Sequence, residues 1–131
     1  MSLKVALAGG GTAGHVNPLL ATAHLLSERG HEVHVIGTGE GLEATMVPEA
    51  GFPLTKIPKA PMPRSLSPQA FLVPSKLLAA FTISRKTLRG MDALIGFGGY
   101  VSAPAYIAAA SLGLPYVVQE QNVMPGVANK L

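Results

Sequence analysis

Two short glycine-rich segments contain the residues best suited to hold a charged ligand. Residues 9–15 read GGGTAGH and residues 96–102 read GFGGYVS, and each segment follows a short apolar run. A chain that passes from a strand through glycines into a helix presents backbone N–H groups at the positive end of that helix, where anions bind. Two such segments in 131 residues predict one cleft that holds a charged ligand from two sides.

The polar side chains beside these segments are candidates for proton transfer and sugar binding. His15 follows the first glycine segment, and a neutral imidazole there could accept a proton from a hydroxyl or bond an anion. A capping or solvent-exposed histidine is the alternative. Glu120 and Asn122 follow a later apolar run. Glu120 could orient a partner or act as a base and Asn122 could bond sugar hydroxyls, while a structural role for both is equally open.

Several other chemistries are disfavoured by the composition and by the motifs. The chain has no cysteine, so thiolate nucleophiles, disulfides and zinc–thiolate sites are excluded. His24, His31 and His34 show no metal-ligand spacing, and we predict no metal and no cofactor. Residues 9–14 fit G-x-G-x-x-G, but no acidic residue closes the second strand, which argues against a dinucleotide enzyme. No P-loop motif is present either.

The charge and hydropathy patterns limit the partners. The net charge is +3 and aromatic residues make up 5% of the chain, so we expect no nucleic-acid partner. The N-terminus lacks the layout of a signal peptide, and no uncharged apolar run reaches the ~18 residues that span a bilayer. Residues 71–81 mix large apolar side chains with Lys76, and basic residues lie nearby. They either pack on the sheet or rest on an anionic membrane surface.

Apolar runs alternate with helical patterns along the whole chain. The predicted strands cover residues 3–8, 32–36, 54–57, 92–95 and 115–118. We predict a first helix that begins at Asn17-Pro18 and ends at Gly30, because Asn is a good N-cap and Pro suits the first helical turn. Further helices are predicted at 42–50, 68–89 with an interruption at Pro74, 102–112, and from about 126 onwards, with surface loops at 58–65 and 119–125.

This alternation predicts the α/β class, as one Rossmann-like domain spanning residues 1–131. Right-handed crossovers give a doubly wound parallel sheet, and strand order 3-2-1-4-5 is the simplest arrangement. In that order the first and fourth strands flank the point where the winding reverses. Both glycine segments therefore open onto one crevice, where ligands bind in such sheets.

Taken together, the motifs resemble the MurG family of peptidoglycan N-acetylglucosaminyltransferases. The matching residues are GGTAGHVNP at 10–18, GGYVSAP at 98–104 and EQN at 120–122, followed by PG at 125–126 and ANK at 128–130. GLEA at 41–44 and VP at 47–48 also fit. The resemblance runs along the whole chain, and it is specific because several motifs occur in the same order.

The resemblance implies the N-terminal, acceptor-side half of a GT-B glycosyltransferase. Such an enzyme moves N-acetylglucosamine from UDP-N-acetylglucosamine to lipid I (undecaprenyl-pyrophosphoryl-MurNAc-pentapeptide), gives lipid II, inverts the anomeric centre and needs no metal. It works peripherally on the cytoplasmic face of the bacterial membrane. By motif match the expected donor contacts are Thr12, Ala13, Gly14 and Asn122. The expected acceptor-side and catalytic residues are His15, Gly98, Gly99, Tyr100, Ser102 and Glu120.

Two departures from the family pattern bear on mechanism. Gln119 stands where the family usually has histidine, and glutamine cannot act as a base near neutral pH, which makes His15 the better candidate. The chain also matches only the first part of the family, so we expect a fragment that folds without its C-terminal donor-binding domain but does not turn over alone. The alternatives are a non-catalytic, membrane-recruiting half of a split GT-B enzyme and a dinucleotide enzyme.

Overall fold

The computed structural model describes residues 2–10, 13–58, 73–98 and 102–119. Strands and helices alternate strictly within these ranges. The strands are β1 Lys4–Ala8, β2 Glu32–Thr38, β3 Leu54–Ile57, β4 Ala93–Gly96 and β5 Tyr116–Val118. The helices are α1 Ala13–Glu28, α2 Glu43–Glu49, α3 Val73–Leu88 and α4 Ser102–Leu112.

The strands form one parallel sheet in the order β3-β2-β1-β4-β5, as predicted. The central strand β1 pairs with β2 on one side and with β4 on the other. Its last residue, Ala8, is opposite Ile36 in β2 and Gly96 in β4. The ends of these three strands therefore reach the same edge of the sheet.

Helices cover both faces of the sheet, which explains why β1 is apolar at successive positions. Val5 and Leu7 pack with residues of α1 and α2, including Leu19 and Val47. Ala6 and Ala8 point to the opposite face, where residues of α3 and α4 complete a second core. Parallel strands buried on both faces are expected to be continuously apolar rather than alternating.

The first helix begins earlier than predicted. It starts at Ala13, so Asn17 is not its N-cap and Pro18 lies inside it. Pro18 lacks the N–H group that would donate a hydrogen bond to the Gly14 carbonyl, so a proline at this position inside the helix is unfavourable. The local Asn-Pro signal predicts the wrong boundary because α1 already begins within the glycine segment and packs against the sheet from there, and tertiary packing outweighs local preference.

The remaining boundaries agree with the predictions to within about two residues. Gly30 ends the first helical segment as predicted, with a φ of +87° that favours glycine. Helix α3 is continuous from Val73 to Leu88, so Pro74 lies in its first turn and does not interrupt it. The predicted helix start at Pro68, most of the loop at 58–65 and the final helix lie outside the described residues.

Candidate functional site

Three neighbouring strand ends meet at one edge of the sheet through backbone hydrogen bonds. The Gly9 N–H donates to the Ile36 carbonyl at 3.3 Å, and the Phe97 N–H donates to the Ala8 carbonyl at 2.8 Å. The Gln119 N–H donates to the Gly96 carbonyl at 2.8 Å. Both glycine segments and the chain just before Glu120 therefore leave the sheet side by side, as the predicted shared crevice requires.

Ser102 links the end of β1 to the second glycine segment. It is the first residue of α4 and is fully buried. Its hydroxyl oxygen lies 3.1 Å from the Ala8 carbonyl oxygen and 2.9 Å from the Gly98 carbonyl oxygen, and the two carbonyls share its single hydrogen. Gly98 itself has a φ of +97°, a conformation that other residues rarely adopt. The hydroxyl of Ser102 thus fixes the end of β1 against the second glycine segment.

His15 lies half-buried in the first turn of α1. Its Nδ1 is 3.1 Å from the Gly10 carbonyl oxygen. A carbonyl can only accept a hydrogen bond, so Nδ1 carries the hydrogen in this contact. In a neutral imidazole with that tautomer, Nε2 holds the lone pair that can accept a proton.

Glu43 is a residue of this edge that the sequence reasoning did not single out as functional. It begins α2 and is fully buried. Its Oε2 accepts the Thr38 N–H at 3.0 Å and the Thr38 hydroxyl at 3.1 Å. A Cβ added to Gly10 or Gly41 would overlap its carboxyl group, and one on Gly37 would lie 2.7 Å from its Cγ. The glycines just before Glu43 could have indicated this burial, because residues without side chains leave room for a large neighbour.

The structure places only some of the predicted site residues. It describes His15, Gly98 and Ser102 together with the helical backbone of Ala13 and Gly14, and it brings them to one edge of the sheet. Their roles in substrate binding or catalysis stay predictions. The predicted site residues outside the described ranges are Thr12, Gly99, Tyr100, Glu120 and Asn122.

The other histidines lie apart from this edge in separate environments. His24 is exposed on α1 and stacks edge-on against Phe52 at 5.1 Å between ring centroids, while the His31 ring accepts the Leu3 N–H. His34 lies in β2, bonds Thr55 and has a pKa lowered by burial. Among the described residues, no three His, Asp or Glu side chains gather as metal ligands would.

Exposed apolar and basic side chains occur together on α3. On α3, Leu77 and Leu78 are exposed beside Lys76, and Leu78 is 65% exposed. Arg85 and Lys86 follow in the last turn, and Ile107 of α4 is also exposed. Neither helix contains an acidic residue. None of the helices in the described ranges has the length and apolar character needed to cross a bilayer.

The chain matches the glycosyltransferase family 28 N-terminal domain over residues 5–131. Two relatives named UDP-N-acetylglucosamine--N-acetylmuramyl-(pentapeptide) pyrophosphoryl-undecaprenol N-acetylglucosamine transferase are similar over 98% of this chain. The Cutibacterium acnes protein is 50% identical and the chain covers 35% of it. The Corynebacterium glutamicum protein is 49% identical and the chain covers 37% of it. The chain thus spans about a third of the length of these relatives.

Solved structures agree on the fold. The crystal structure of Acinetobacter baumannii MurG is 32% identical, with a TM-score of 0.84 over 98% of this chain and 38% of that chain. The glycosyltransferase of kitacinnamycin is 22% identical, with a TM-score of 0.70 over 95% of this chain and 32% of that one. At that identity the second likeness supports the fold alone. The five-stranded sheet is that of a GT-B N-terminal domain.

Proposed function

The chain belongs to glycosyltransferase family 28 as a MurG-like N-terminal domain, and on that premise we propose that it serves the acceptor side of an inverting N-acetylglucosaminyltransferase. The donor is UDP-N-acetylglucosamine, the acceptor is lipid I and the product is lipid II. The names of the Cutibacterium acnes and Corynebacterium glutamicum relatives support this choice of substrates. The observation that carries the proposal is the meeting of both glycine segments at one sheet edge beside His15.

The glycine segments suit the pyrophosphate that links lipid I to its undecaprenyl chain. The N-terminal turn of α1 offers backbone N–H groups that no residue of the helix can pair. Ser102 holds Gly98 near Ala8, the residue just before the first glycine segment. Backbone donors fixed in this way bind an anion without the cost of ordering flexible side chains.

His15 is the proposed base of the transfer. The acceptor hydroxyl oxygen forms a bond to the anomeric carbon, and the bond between that carbon and the UDP oxygen breaks. The hydroxyl proton passes to Nε2 of His15, which has the lone pair because Nδ1 donates to the Gly10 carbonyl. Attack from the face opposite UDP inverts the anomeric centre. Gln119 offers no basic group at neutral pH.

The apolar and basic surface of α3 is the proposed membrane contact. Exposed leucines would enter the outer part of the cytoplasmic leaflet, and Lys76 and Lys86 would meet anionic headgroups. This contact would bring the domain to lipid I at the membrane face without a spanning helix. A non-catalytic recruiting subunit would use the same surface, so activity must decide between the two functions.

A chimera tests the proposed activity. Residues 1–131 of this chain replace the matching segment of the Cutibacterium acnes relative, which is 50% identical there. The chimera is expected to transfer N-acetylglucosamine to a water-soluble lipid I analogue, while the 131 residues alone transfer none. His15→Gln in the chimera is expected to lower kcat by about 10²–10⁴-fold, the usual contribution of a general base.

His24→Gln is the matched control, because His24 lies on the same helix with its side chain exposed. It should leave kcat unchanged. A folded chimera that binds the analogue but transfers no sugar would favour the recruiting subunit. Sugar transfer by the 131 residues alone would contradict the expectation that turnover needs a C-terminal donor-binding domain. An unchanged kcat for His15→Gln would show that His15 is not the base.

A further inference from the structure

Glu43 is held in one orientation by the end of β2. The Thr38 hydroxyl donates its hydrogen to Oε2 of Glu43 at 3.1 Å and accepts the N–H groups of Glu40 and Gly41 at 3.3 and 3.2 Å. The Thr38 N–H adds a second donor to Oε2 at 3.0 Å. A hydroxyl has one hydrogen and two lone pairs, so the three contacts of the Thr38 hydroxyl use its full capacity. The buried carboxyl group therefore has little freedom to move.

Gly10 lies directly against this carboxyl group. A Cβ on Gly10 would overlap both carboxyl oxygens and the carbon between them. The Glu43 side chain thus occupies the space that any larger residue at position 10 would need. This contact limits how the Gly10 peptide can turn, because the carboxyl group is buried and cannot swing aside into solvent.

Gly10 in turn fixes the ring of His15. Its carbonyl oxygen accepts the hydrogen of Nδ1 at 3.1 Å. If the Gly10 peptide rotated, the carbonyl would leave the ring, and the preference for hydrogen on Nδ1 would be lost. The position of Glu43 and the tautomer of His15 are therefore linked through a single peptide group.

We propose that Glu43 is a positioning residue for His15, acting through the Gly10 peptide to keep the hydrogen on Nδ1 and the lone pair on Nε2. The relevance of this link to catalysis rests on the proposed function, in which Nε2 takes the proton of the attacking hydroxyl. The link itself does not depend on that function. Glu43 acts by contact and shape, so its amide analogue should serve as well as the acid.

The tautomer of His15 can be read directly in the 131-residue chain. Long-range ¹H–¹⁵N NMR distinguishes a protonated ring nitrogen from an unprotonated one, and a His15→Gln sample assigns the His15 signals among the four histidines. The variants are Glu43→Ala, which removes the carboxyl group, and Glu43→Gln, which keeps its shape. Glu49→Ala is the control, because Glu49 lies exposed at the end of the same helix.

The unmodified chain, Glu43→Gln and Glu49→Ala are expected to show His15 with hydrogen on Nδ1. Glu43→Ala is expected to lower the ratio of the Nδ1–H to the Nε2–H tautomer about fivefold, equivalent to about 1 kcal/mol and thus to one net hydrogen bond. Should Glu43→Ala unfold, Glu43→Asp withdraws the carboxyl group by one methylene and is expected to shift the ratio in the same direction.

A residue with a purely structural role would lower the unfolding midpoint without changing the tautomer in the folded state. A folded Glu43→Ala or Glu43→Asp chain with the tautomer ratio of the unmodified chain would therefore overturn the proposal. So would a Glu43→Gln chain that loses the Nδ1–H tautomer, because contact alone would then not be sufficient. None of these readouts requires sugar transfer, so this inference can fail while the proposed function stands, and the reverse is also possible.

Discussion

At the scale of single residues, glycines at the ends of strands leave room for large buried partners. Tyr106 occupies the space that a side chain at Gly96 would need, just as Glu43 occupies the space beside Gly10 and Gly41. Tyr106 is almost fully buried in α4 and stacks on Tyr116 at 5.6 Å between ring centroids. These three glycines therefore set how closely α2 and α4 approach this edge of the sheet.

Gly96→Ala tests this close approach. The added Cβ would overlap the Tyr106 ring and hydroxyl, and neither β4 nor α4 can move without disturbing the core. We expect a loss of about 1–3 kcal/mol in the free energy of unfolding, the usual cost of overpacking a core. Urea denaturation measures it.

Gly39→Ala is the control, because its Cβ would meet only the Lys56 side chain, with Cδ at 3.3 Å. Lys56 is exposed and can move aside, so the change should stay within about 0.5 kcal/mol, as for surface substitutions. Equal losses for the two variants would contradict the packing account.

His34 gives the stability a pH dependence. Burial lowers the pKa of His34, and the negative charge of Glu32 opposes part of that shift. In the unfolded chain the imidazole binds a proton near pH 6.5, while folded His34 binds its proton only at a lower pH. The unfolded state then binds more protons, so the stability that is present above about pH 6.5 falls as the pH falls through that value. The loss stops below the folded pKa, where both states are protonated.

His34→Gln should therefore reduce the change in urea midpoint between pH 7.5 and pH 5.5. Glutamine can still bond Thr55 and does not titrate. His24→Gln is the control and should keep the full pH dependence, since His24 is exposed. The same pH dependence in the His34→Gln and unmodified chains would show that burial of His34 does not contribute.

At the scale of elements, α3 packs through one face and leaves its other face exposed. Ala80 and Leu88 are buried in the core, while Leu78 is 65% exposed on another face and Leu77, in the N-terminal half of the helix, is 39% exposed. An exposed pair of leucines beside basic residues and without acidic ones differs from an ordinary solvent-facing helix surface. This arrangement supports the proposed membrane contact of α3.

Leu78→Glu should weaken binding of the chain to vesicles that contain anionic lipid. It replaces an apolar side chain that would enter the lipid by a negative charge that anionic headgroups repel. Leu25→Glu is the matched control, since Leu25 is 48% exposed on α1, which packs on the opposite face of the sheet. Co-sedimentation with vesicles measures both. Equal binding by the two variants, or binding that does not depend on anionic lipid, would exclude α3 as the contact.

The elements also show what the sequence could predict. The strands and most helix ends follow from apolar runs bounded by glycine, and these signals are local. The start of α1 could not be read in this way, because packing after the glycine segment overrides the Asn17-Pro18 signal. The proposed role of Glu43 depends on Gly10 meeting the segment 37–41 around one side chain, and the local glycine cluster before Glu43 does not show that Gly10 joins it.

At the scale of the whole molecule, the strand order brings the residues of the candidate site together. Because β1 lies between β2 and β4, the segments after β1 and β4 emerge together although they are about 90 residues apart in the chain. This feature could be predicted, since alternating strands and helices with right-handed crossovers leave few arrangements. The hydroxyl of Ser102, which joins Ala8 to Gly98, could not, because it depends on the finished packing.

The most direct test of the shared site is an NMR titration of the 131-residue chain with a water-soluble lipid I analogue. If the two glycine segments form one pyrophosphate site, the backbone amides of Gly10, Gly14 and Gly98 should shift together, with a single dissociation constant. The same analogue without its pyrophosphate should cause much smaller shifts at these amides. Shifts confined to one segment, or different dissociation constants for the two, would contradict the account.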